Sequence, residues 1–392
     1  MIFVMTACAE NSSQSEKSQP AEQMTVQPTT MSAEEINDRK LDKFVSDMTL
    51  EEKVGQMFFV RCPDEDAVQQ VSKYNIGGYI LFGRDFDGKT KDEVVDDIHS
   101  YQNEADIPLL IGVDEEGGTV VRVSSNPNLR ETPFPSPKDT YADGGWDAVK
   151  QDAEEKADLL LSLGINVNLA PVCDMTSDEY GFMYDRSFSS DVDMENRYVR
   201  TVVETSKSKK LGTVLKHFPG YGNNSDTHTG IAYDDRDYSK FENTDFKPFY
   251  QGIESGADCI LVSHNIVNCM DSEYPASLSQ KVHDILRNEF KFDGVIMTDD
   301  LIMDAITDFT GDEAAAVTAA KCGNDLLCCS SVDTQYPAVL EAVQNGEIPE
   351  AQVDASVKRI LKWKQNLGIF NIDTYQKKVK STEPTDTVGS EE

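Results

Sequence analysis

The chain has 392 residues, of which 39% are hydrophobic, enough for one large buried core. Its 36 Lys and Arg residues stand against 70 Asp and Glu residues, which gives a formal net charge of -34. A surface this acidic repels phosphate backbones and anionic lipids, which argues against a nucleic-acid partner. No run reaches the roughly 18 to 20 consecutive apolar residues of a membrane-spanning helix.

We expect the first 30 residues to form a leader and a disordered linker. The segment from Met1 to Cys8 is apolar and small and ends in a cysteine, and a polar stretch follows to about Thr30. This resembles the end of a truncated bacterial lipoprotein signal. The pattern predicts a lipoprotein attached through Cys8 to the extracellular side of a bacterial membrane. The alternative is a cytoplasmic protein with an unstructured terminus.

Histidine and cysteine patterns argue against a structural metal. The chain has 8 cysteines and 5 histidines, and no CxxC pair occurs. Most cysteines lie in or beside apolar runs, where a thiol behaves as a small hydrophobic group. We therefore expect buried, free thiols, no metal and no cofactor.

Short apolar runs alternate with amphipathic segments of helical length over most of the chain. Continuous apolar runs of this kind are typical of parallel strands that helices cover on both sides. The runs indicate an α/β fold with a single (β/α)8 barrel over residues 31–376, followed by a polar tail at 377–392. They are Gly55–Val60, Gly77–Phe82, Pro108–Val113, Ile165–Pro171, Gly212–His217, Asp258–His264, Gly294–Thr298 and Asp325–Cys329.

Polar and reactive residues end or closely follow most of these runs. Barrel enzymes carry their active sites at the carboxyl ends of the strands, so these residues are the first candidates for chemistry. The candidates are Arg84, Asp114, Asp174, Lys216, His217, His264, Asp299 and Asp300.

The segment after the fifth run has the most specific pattern. It reads Lys216-His217-Phe218-Pro219-Gly220-Tyr221-Gly222 and continues to Asp226-Thr227-His228. An Asp two residues before a His can reach back to one imidazole nitrogen, fix the tautomer and raise the ring pKa, which leaves the other nitrogen free for proton transfer. Taken alone, such a pair also fits a surface turn.

Two further motifs place carboxylates at strand ends. Asp299 and Asp300 directly follow the run Gly294–Thr298, and Asp114 directly follows the run Pro108–Val113. A carboxylate in the first place can serve as a glycosidase nucleophile, and one in the second can bind vicinal sugar hydroxyls. Each motif has a structural alternative, a helix N-cap for one of the paired aspartates and an ion pair for Asp114.

Together the three motifs resemble glycoside hydrolase family 3, in its β-N-acetylhexosaminidase branch, from Met48 to about residue 370. The resemblance implies that Asp299 attacks the anomeric carbon and that His228, oriented by Asp226, is the acid/base. It implies sugar contacts from Asp114, Lys216, His217, the Arg186 of Tyr184-Asp185-Arg186-Ser187-Phe188, and Arg84. Two positions depart from the common pattern: Tyr221 stands where His is frequent, and Thr119 where Arg is frequent, with Arg122 as a nearby substitute.

These roles imply a retaining β-N-acetylglucosaminidase that acts through a covalent glycosyl-enzyme. The resemblance further implies peptidoglycan-derived fragments as substrate, without a cofactor, and we expect a monomer. Because the acid/base would be a histidine and not a carboxylate, phosphate could replace water as the attacking group, so phosphorolysis stays open as an alternative.

Three alternatives remain at this point. The first is a family 3 enzyme for another sugar, such as a β-glucosidase. The second is a non-catalytic sugar-binding surface lipoprotein on the same barrel. The third is a metal-dependent barrel hydrolase, for which His217 and His264 are the available histidine pair.

Overall fold

The computed structural model describes residues 31–222, 224, 230–310 and 312–377. The strands of this part, in chain order, are β1 (Phe58–Arg61), β2 (Gly78–Leu81), β3 (Leu110–Val113), β4 (Val167–Asn168), β5 (Gly212–Phe218), β6 (Tyr233–Asp234), β7 (Cys259–Val262), β8 (Ile266–Val267), β9 (Val295–Thr298) and β10 (Leu327–Cys329).

Helices lie between most consecutive strands of the described residues. They are α1 (Ala33–Ser46), α2 (Leu50–Gln56), α3 (Ala67–Tyr74), α4 (Gly83–Phe86), α5 (Lys91–Glu104), α6 (Pro137–Ser162), α7 (Val192–Ser208), α8 (Tyr238–Lys240), α9 (Phe246–Glu254), α10 (Gln280–Asp284), α11 (Asp304–Thr310), α12 (Asp312–Lys321), α13 (Val332–Gln344) and α14 (Glu350–Asn366). Short π-helical turns lie at Phe241–Asp245 and Ile285–Glu289, and a 3-10 turn lies at Ala276–Leu278.

Several helix starts follow from local chemistry. Ser32, Thr49 and Thr90 each accept a hydrogen bond from the backbone N–H three residues later. The glutamate at that later position accepts a hydrogen bond from the backbone N–H of the cap residue. These reciprocal caps satisfy amide groups that have no partner within the helix, so they fix where α1, α2 and α5 begin.

Eight of the strands form one parallel sheet in the order β10-β1-β2-β3-β4-β5-β7-β9. Met297 in β9 also bridges Leu326, directly before β10, so the sheet nearly closes on itself. The predicted (β/α)8 barrel is thereby confirmed, and each of the eight predicted runs overlaps one barrel strand. The first run begins too early, because Gly55 and Gln56 still belong to α2. A buried apolar run alone does not separate the end of a helix from the start of a strand.

Aromatic packing fills the barrel beside β2 and β3. A Cβ atom on Gly112 would lie 2.5 Å from Cζ of Phe59, and one on Gly78 would lie 2.9 Å from Cδ2 of the same ring. The two glycines therefore leave the space that the buried Phe59 ring occupies. Such close packing holds the strands in register and brings their carboxyl ends together at one rim.

Two further observations concern sequence expectations. In the part of the chain that the structure describes, no helix is long and apolar enough to cross a membrane. The seven cysteines of that part are all unpaired, and all except Cys269 are buried. Cys8 lies outside the described residues.

Candidate active site

A cavity of about 620 Å3 opens at the carboxyl ends of the barrel strands. This volume is in the usual range for a small-molecule site. Apolar side chains such as Ile80, Leu169 and Leu261 contribute to its wall, and charged side chains converge on it. The charged residues that line it are Arg61, Asp114, Glu116, Arg122, Asp185, Arg186, Lys216, Asp299 and Asp300.

Lys216 lies at the centre of an ion-pair network. Its Nζ atom is 2.6 Å from Asp114 Oδ1 and 2.6 Å from Glu116 Oε1. Burial by itself would lower the pKa of Lys216, but the two carboxylates outweigh it and raise the pKa above its ordinary value. The ammonium group therefore stays charged and holds both carboxylates in place.

Arg186 completes the network from the loop between β4 and α7. Its guanidinium group binds Glu116 through two parallel hydrogen bonds, Nε to Oε2 at 2.9 Å and Nη2 to Oε1 at 2.7 Å. Burial would raise the pKa of Glu116, but the Lys216 and Arg186 cations hold it well below its usual range. Glu116 is therefore an ionised anchor and not a proton donor.

His217 is fixed by a buried carboxylate on the neighbouring strand end. Its Nδ1 atom lies 2.6 Å from Asp174 Oδ2, and its Nε2 atom lies 3.3 Å from Arg186 Nη2. The arrangement favours the tautomer with the proton on Nδ1, because Arg186 can only donate. Asp174 also accepts from the backbone N–H of Tyr221 at 2.7 Å, so it positions the ring and the start of the following loop together.

The paired aspartates after β9 have different surroundings. Asp299 lines the cavity, and its Oδ1 atom accepts from the backbone N–H of Asp300 at 2.9 Å. Asp300 accepts from Ser330 Oγ at 2.6 Å and from the Ile302 N–H at 3.2 Å. Burial raises the pKa of Asp300. Asp300 thus also stabilises the turn that leads to α11, although both aspartates line the cavity.

Two arginines flank Phe82 at the side of β1 and β2. The Cζ atom of Arg61 lies 4.4 Å from the ring centroid, and that of Arg122 lies 5.9 Å from it. Among the described residues neither guanidinium group takes part in an ion pair, and neither Nε atom has a hydrogen-bond partner. These groups can donate hydrogen bonds to oxygen atoms of a ligand.

Five of the residues predicted as site members meet in this cavity: Asp114, Arg186, Lys216, His217 and Asp299. Arg84 does not line it. Its side chain is exposed, pairs with Asp64 at 2.9 Å and donates to the Cys62 carbonyl in a neighbouring hollow. The predicted Asp226 and His228 lie outside the described residues, in the segment that follows β5.

Sequence reasoning gave no role to Glu116 and named Asp174 only as a strand-end candidate, yet these two residues connect the predicted ones. Asp114 and Glu116 are two positions apart, a spacing that puts side chains on one side of an extended chain, so this signal was present. The intervening Glu115 turns away and accepts from the backbone N–H groups of Arg122 and Val123. No local signal paired Asp174 with His217, because 43 residues separate them.

His264, named above with His217 as the only histidine pair for a metal, has other partners. Its Nδ1 atom lies 2.7 Å from Ser277 Oγ, and its Nε2 atom lies 3.1 Å from the Asp300 carbonyl. Over residues 31–222, 224, 230–310 and 312–377, no group of three or more His, Cys, Asp or Glu side chains is arranged to hold a metal ion.

The family model described as "Glycosyl hydrolase family 3 N terminal domain" matches residues 49–363. The chain belongs to glycosyl hydrolase family 3. The family predicted from the three motifs is therefore confirmed, and with it the prediction that the protein is a glycoside hydrolase.

Similar proteins support the predicted branch of this family. A beta-hexosaminidase of Nitrosomonas eutropha is 32% identical over 273 residues, which cover 68% of this chain and 77% of the relative. Beta-hexosaminidase LpqI of Mycobacterium tuberculosis is 31% identical over 322 residues, which cover 79% of this chain and 81% of the relative.

Among solved structures, a family 3 β-N-acetylglucosaminidase from Paenibacillus superposes on 88% of this chain with a TM-score of 0.77 and 29% identity. This chain covers 66% of that longer protein. The structure of M. tuberculosis LpqI superposes on 83% of this chain with a TM-score of 0.74, and 96% of its own chain is covered.

Proposed function

We propose that this family 3 hydrolase is a retaining β-N-acetylglucosaminidase that removes terminal β-linked GlcNAc from peptidoglycan fragments or related oligosaccharides. One observation carries the proposal: Asp299 lies in the same cavity as the network of Asp114, Glu116, Arg186 and Lys216. A retaining glycosidase needs a carboxylate that can attack the anomeric carbon and fixed hydrogen-bonding groups that hold the sugar ring beside it.

The names of the similar proteins indicate which sugar the substrate carries. The curated relatives from Nitrosomonas and Mycobacterium bear the name beta-hexosaminidase, and the Paenibacillus structure is described as a family 3 β-N-acetylglucosaminidase. No contact in the described cavity favours a β-glucoside or a purely sugar-binding role over this activity.

The proposed reaction divides its roles among these side chains. Asp114, Lys216, His217 and Arg186 hold sugar hydroxyls, while Asp299 attacks the anomeric carbon and forms a glycosyl-enzyme. His228 donates a proton to the departing oxygen, then removes one from the water that releases the sugar. Asp226 orients the His228 ring. Two displacements at one carbon give net retention of configuration.

The first test is cleavage of p-nitrophenyl β-N-acetylglucosaminide, with the β-glucoside alongside. The wild type is expected to cleave the N-acetyl substrate, and Asp299→Ala and His228→Ala are expected to lose that activity by a factor of about 100 or more. Asp293→Ala is the matched control, because this exposed aspartate lies before β9, at the opposite end of the same strand. A folded wild type that cleaves neither sugar contradicts the proposal.

Product analysis tests the finer parts. Proton NMR of the first-formed sugar is expected to show the β-anomer, and the α-anomer would rule out retention. Turnover of a GlcNAc–anhydromuramyl disaccharide faster than chitobiose would support the peptidoglycan substrate. Formation of GlcNAc 1-phosphate in phosphate buffer would instead assign phosphorolysis.

Attachment to a membrane is a separate proposal that rests on the sequence around Cys8. The measurement is incorporation of labelled palmitate in a bacterial host, compared between the native chain and Cys8→Ala. Label in the native chain that the substitution abolishes would support a lipoprotein, and equal absence of label in both would contradict it.

A further inference from the structure

Arg236 is the centre of a second charged cluster beyond the end of β5. Its guanidinium group contacts Asp234 through Nε at 3.0 Å and through Nη2 at 2.8 Å. Nη1 lies 2.8 Å from Asp245 Oδ1, and Nη2 also donates to the Gly220 carbonyl at 2.9 Å. The Phe241 ring lies 4.3 Å from its Cζ atom. One side chain thus reaches three separate parts of the chain.

These contacts join the two ends of one loop. Gly220 lies two residues after the end of β5, whereas Asp234 belongs to β6. β6 in turn pairs with β8, with Tyr233 opposite Ile266 and Asp234 opposite Val267. Arg236 therefore connects the entry of the segment 223–229 to its exit.

The backbone at Gly220 and Gly222, which leads into the segment 223–229, packs directly against this cluster. Gly222 has φ of +56°, and a Cβ atom there would lie 2.6 Å from Cζ of Arg236. Gly220 has φ of +120°, and its Cβ would lie 2.5 Å from Asp245 Oδ1. Both positions need the left-handed conformations that glycine adopts readily, and both need the absence of a side chain. The loop entry is thus fitted against the Arg236 and Asp245 side chains.

The two carboxylates that hold Arg236 are almost fully buried, while the Arg236 side chain itself is 30% exposed. Asp234 and Asp245 are each 4% exposed. A guanidinium group held by two buried carboxylates and one carbonyl is a pre-organised fork with little freedom left.

We propose that Arg236 is a positioning residue for acid/base catalysis: it holds the entry and exit of the segment 223–229, which contains Asp226 and His228. The inference rests on the proposed function, since it needs that pair to transfer the proton. Arg236 does not line the cavity, so its effect reaches the reaction through the loop. Loss of this clamp should impair proton donation more than sugar binding or nucleophilic attack.

Leaving groups of different basicity separate these effects. A dinitrophenolate leaves without protonation, whereas the sugar alcohol that leaves from chitobiose needs a proton in the transition state. The quantity to measure is kcat/KM, because it reports the steps up to transfer of the sugar to Asp299 and omits the release of the sugar by water.

The main variant is Arg236→Lys, which keeps the positive charge beside the two buried aspartates but cannot make the same fork of hydrogen bonds. Gly222→Ala is the second variant, since it disturbs the clamp from the loop side without removing a charge. Arg287→Lys is the matched control: Arg287 pairs with Asp325 and donates to the carbonyls of Phe292 and Gly294, away from the loop.

We expect Arg236→Lys to lower kcat/KM for chitobiose by a factor of about 10 to 100, and for the dinitrophenyl glycoside by less than about 3. Gly222→Ala should likewise lower kcat/KM more for chitobiose than for the dinitrophenyl glycoside, and Arg287→Lys should not. Azide, which needs no general base, should raise kcat of Arg236→Lys on the dinitrophenyl glycoside. When His228→Ala is already present, adding Arg236→Lys should not change the ratio of kcat/KM between the two substrates.

Each other outcome has a definite meaning. Equal losses on both substrates in folded Arg236→Lys and Gly222→Ala, or no loss on either, overturn the positioning role. Wild type that is inactive on every N-acetylglucosaminide overturns the proposed function instead. If Arg236→Lys still lowers kcat/KM more for chitobiose than for the dinitrophenyl glycoside when His228→Ala is present, Arg236 acts on another group. This result too overturns the inference.

Discussion

Lys216 Nζ lies 2.6 Å from Glu116 Oε1, and both side chains are almost fully buried. The pair joins β5 to the loop after β3, and Arg186 adds a second cation to the same carboxylate. Buried charges are costly unless each is paired, so removal of one member should leave the others unstable. The floor of the proposed sugar site therefore acts as one unit.

Replacement of Glu116 tests this unit. Glu116→Gln leaves two buried cations with less compensation, and we expect a loss of about 3 to 5 kcal/mol in the free energy of unfolding at pH 7.5. The pKa of Glu116 is lowered in the folded protein, so its contribution is present above its unfolded pKa of about 4.5 and declines as the pH falls below it. Urea unfolding at pH 7.5 and pH 4 measures both effects.

The exposed Glu131→Gln is the control for this measurement. Equal stability of Glu116→Gln and the wild type at pH 7.5 would show that the network contributes nothing to the fold.

Two arginines provide a test of which cation contacts the sugar. Arg122 lines the cavity beside Phe82, whereas Arg84 is held by Asp64 outside it. We expect Arg122→Gln to lower kcat/KM for the nitrophenyl substrate by a factor of about 10 to 100, the range for a lost charged hydrogen bond. Arg84→Gln should change it by less than about 3-fold. A larger loss for Arg84 would place the neighbouring hollow within the substrate site.

Lys364 in α14 is a buried amine that the site does not use. Burial lowers its pKa to about 7, and its Nζ atom donates to Gln56 Oε1 at 2.8 Å. Since the unfolded side chain holds its proton up to about pH 10.4, the unfolded state binds more protons between about pH 7 and 10. This residue should therefore make the wild type more stable as the pH rises through that window.

Lys364→Met removes that dependence. We expect a higher unfolding midpoint than the wild type at pH 7, with a difference that shrinks toward pH 9.5, measured by thermal unfolding at both values. A pH-independent difference between the two proteins would show that Lys364 is charged in the folded state throughout.

The packing of Phe59 inside the barrel gives a prediction about stability. A Cβ at Gly112 would lie 2.5 Å from Phe59 Cζ and 3.0 Å from Leu169 Cδ1, so Gly112→Ala forces the core apart. We expect a loss of about 1 to 3 kcal/mol, seen as a lower midpoint in urea. Gly83→Ala, where the added atom meets nothing within 4 Å, is the control. Partial recovery in the double variant Gly112→Ala with Phe59→Leu would identify the Phe59 ring as the source of the clash.

The fold was largely determined by local pattern. Eight apolar runs of strand length, separated by amphipathic segments, predicted the barrel because a parallel strand covered on both faces has no polar side. The strand ends then placed Asp114, Lys216, His217 and Asp299 at one rim, since all parallel strands of a barrel point the same way. The three motifs together further indicated the family from the residue types alone.

Only the tertiary structure decided which charges face the cavity. Arg61 ends β1 and Arg84 follows β2, but Asp64 and the Cys62 carbonyl bind Arg84 outside the cavity, while Arg61 lines it. Glu116 and Asp174 acquired their roles from partners far away in the sequence. The partner of a buried charge depends on distances and solvent exclusion in three dimensions, and neither quantity is encoded in the local order of residues.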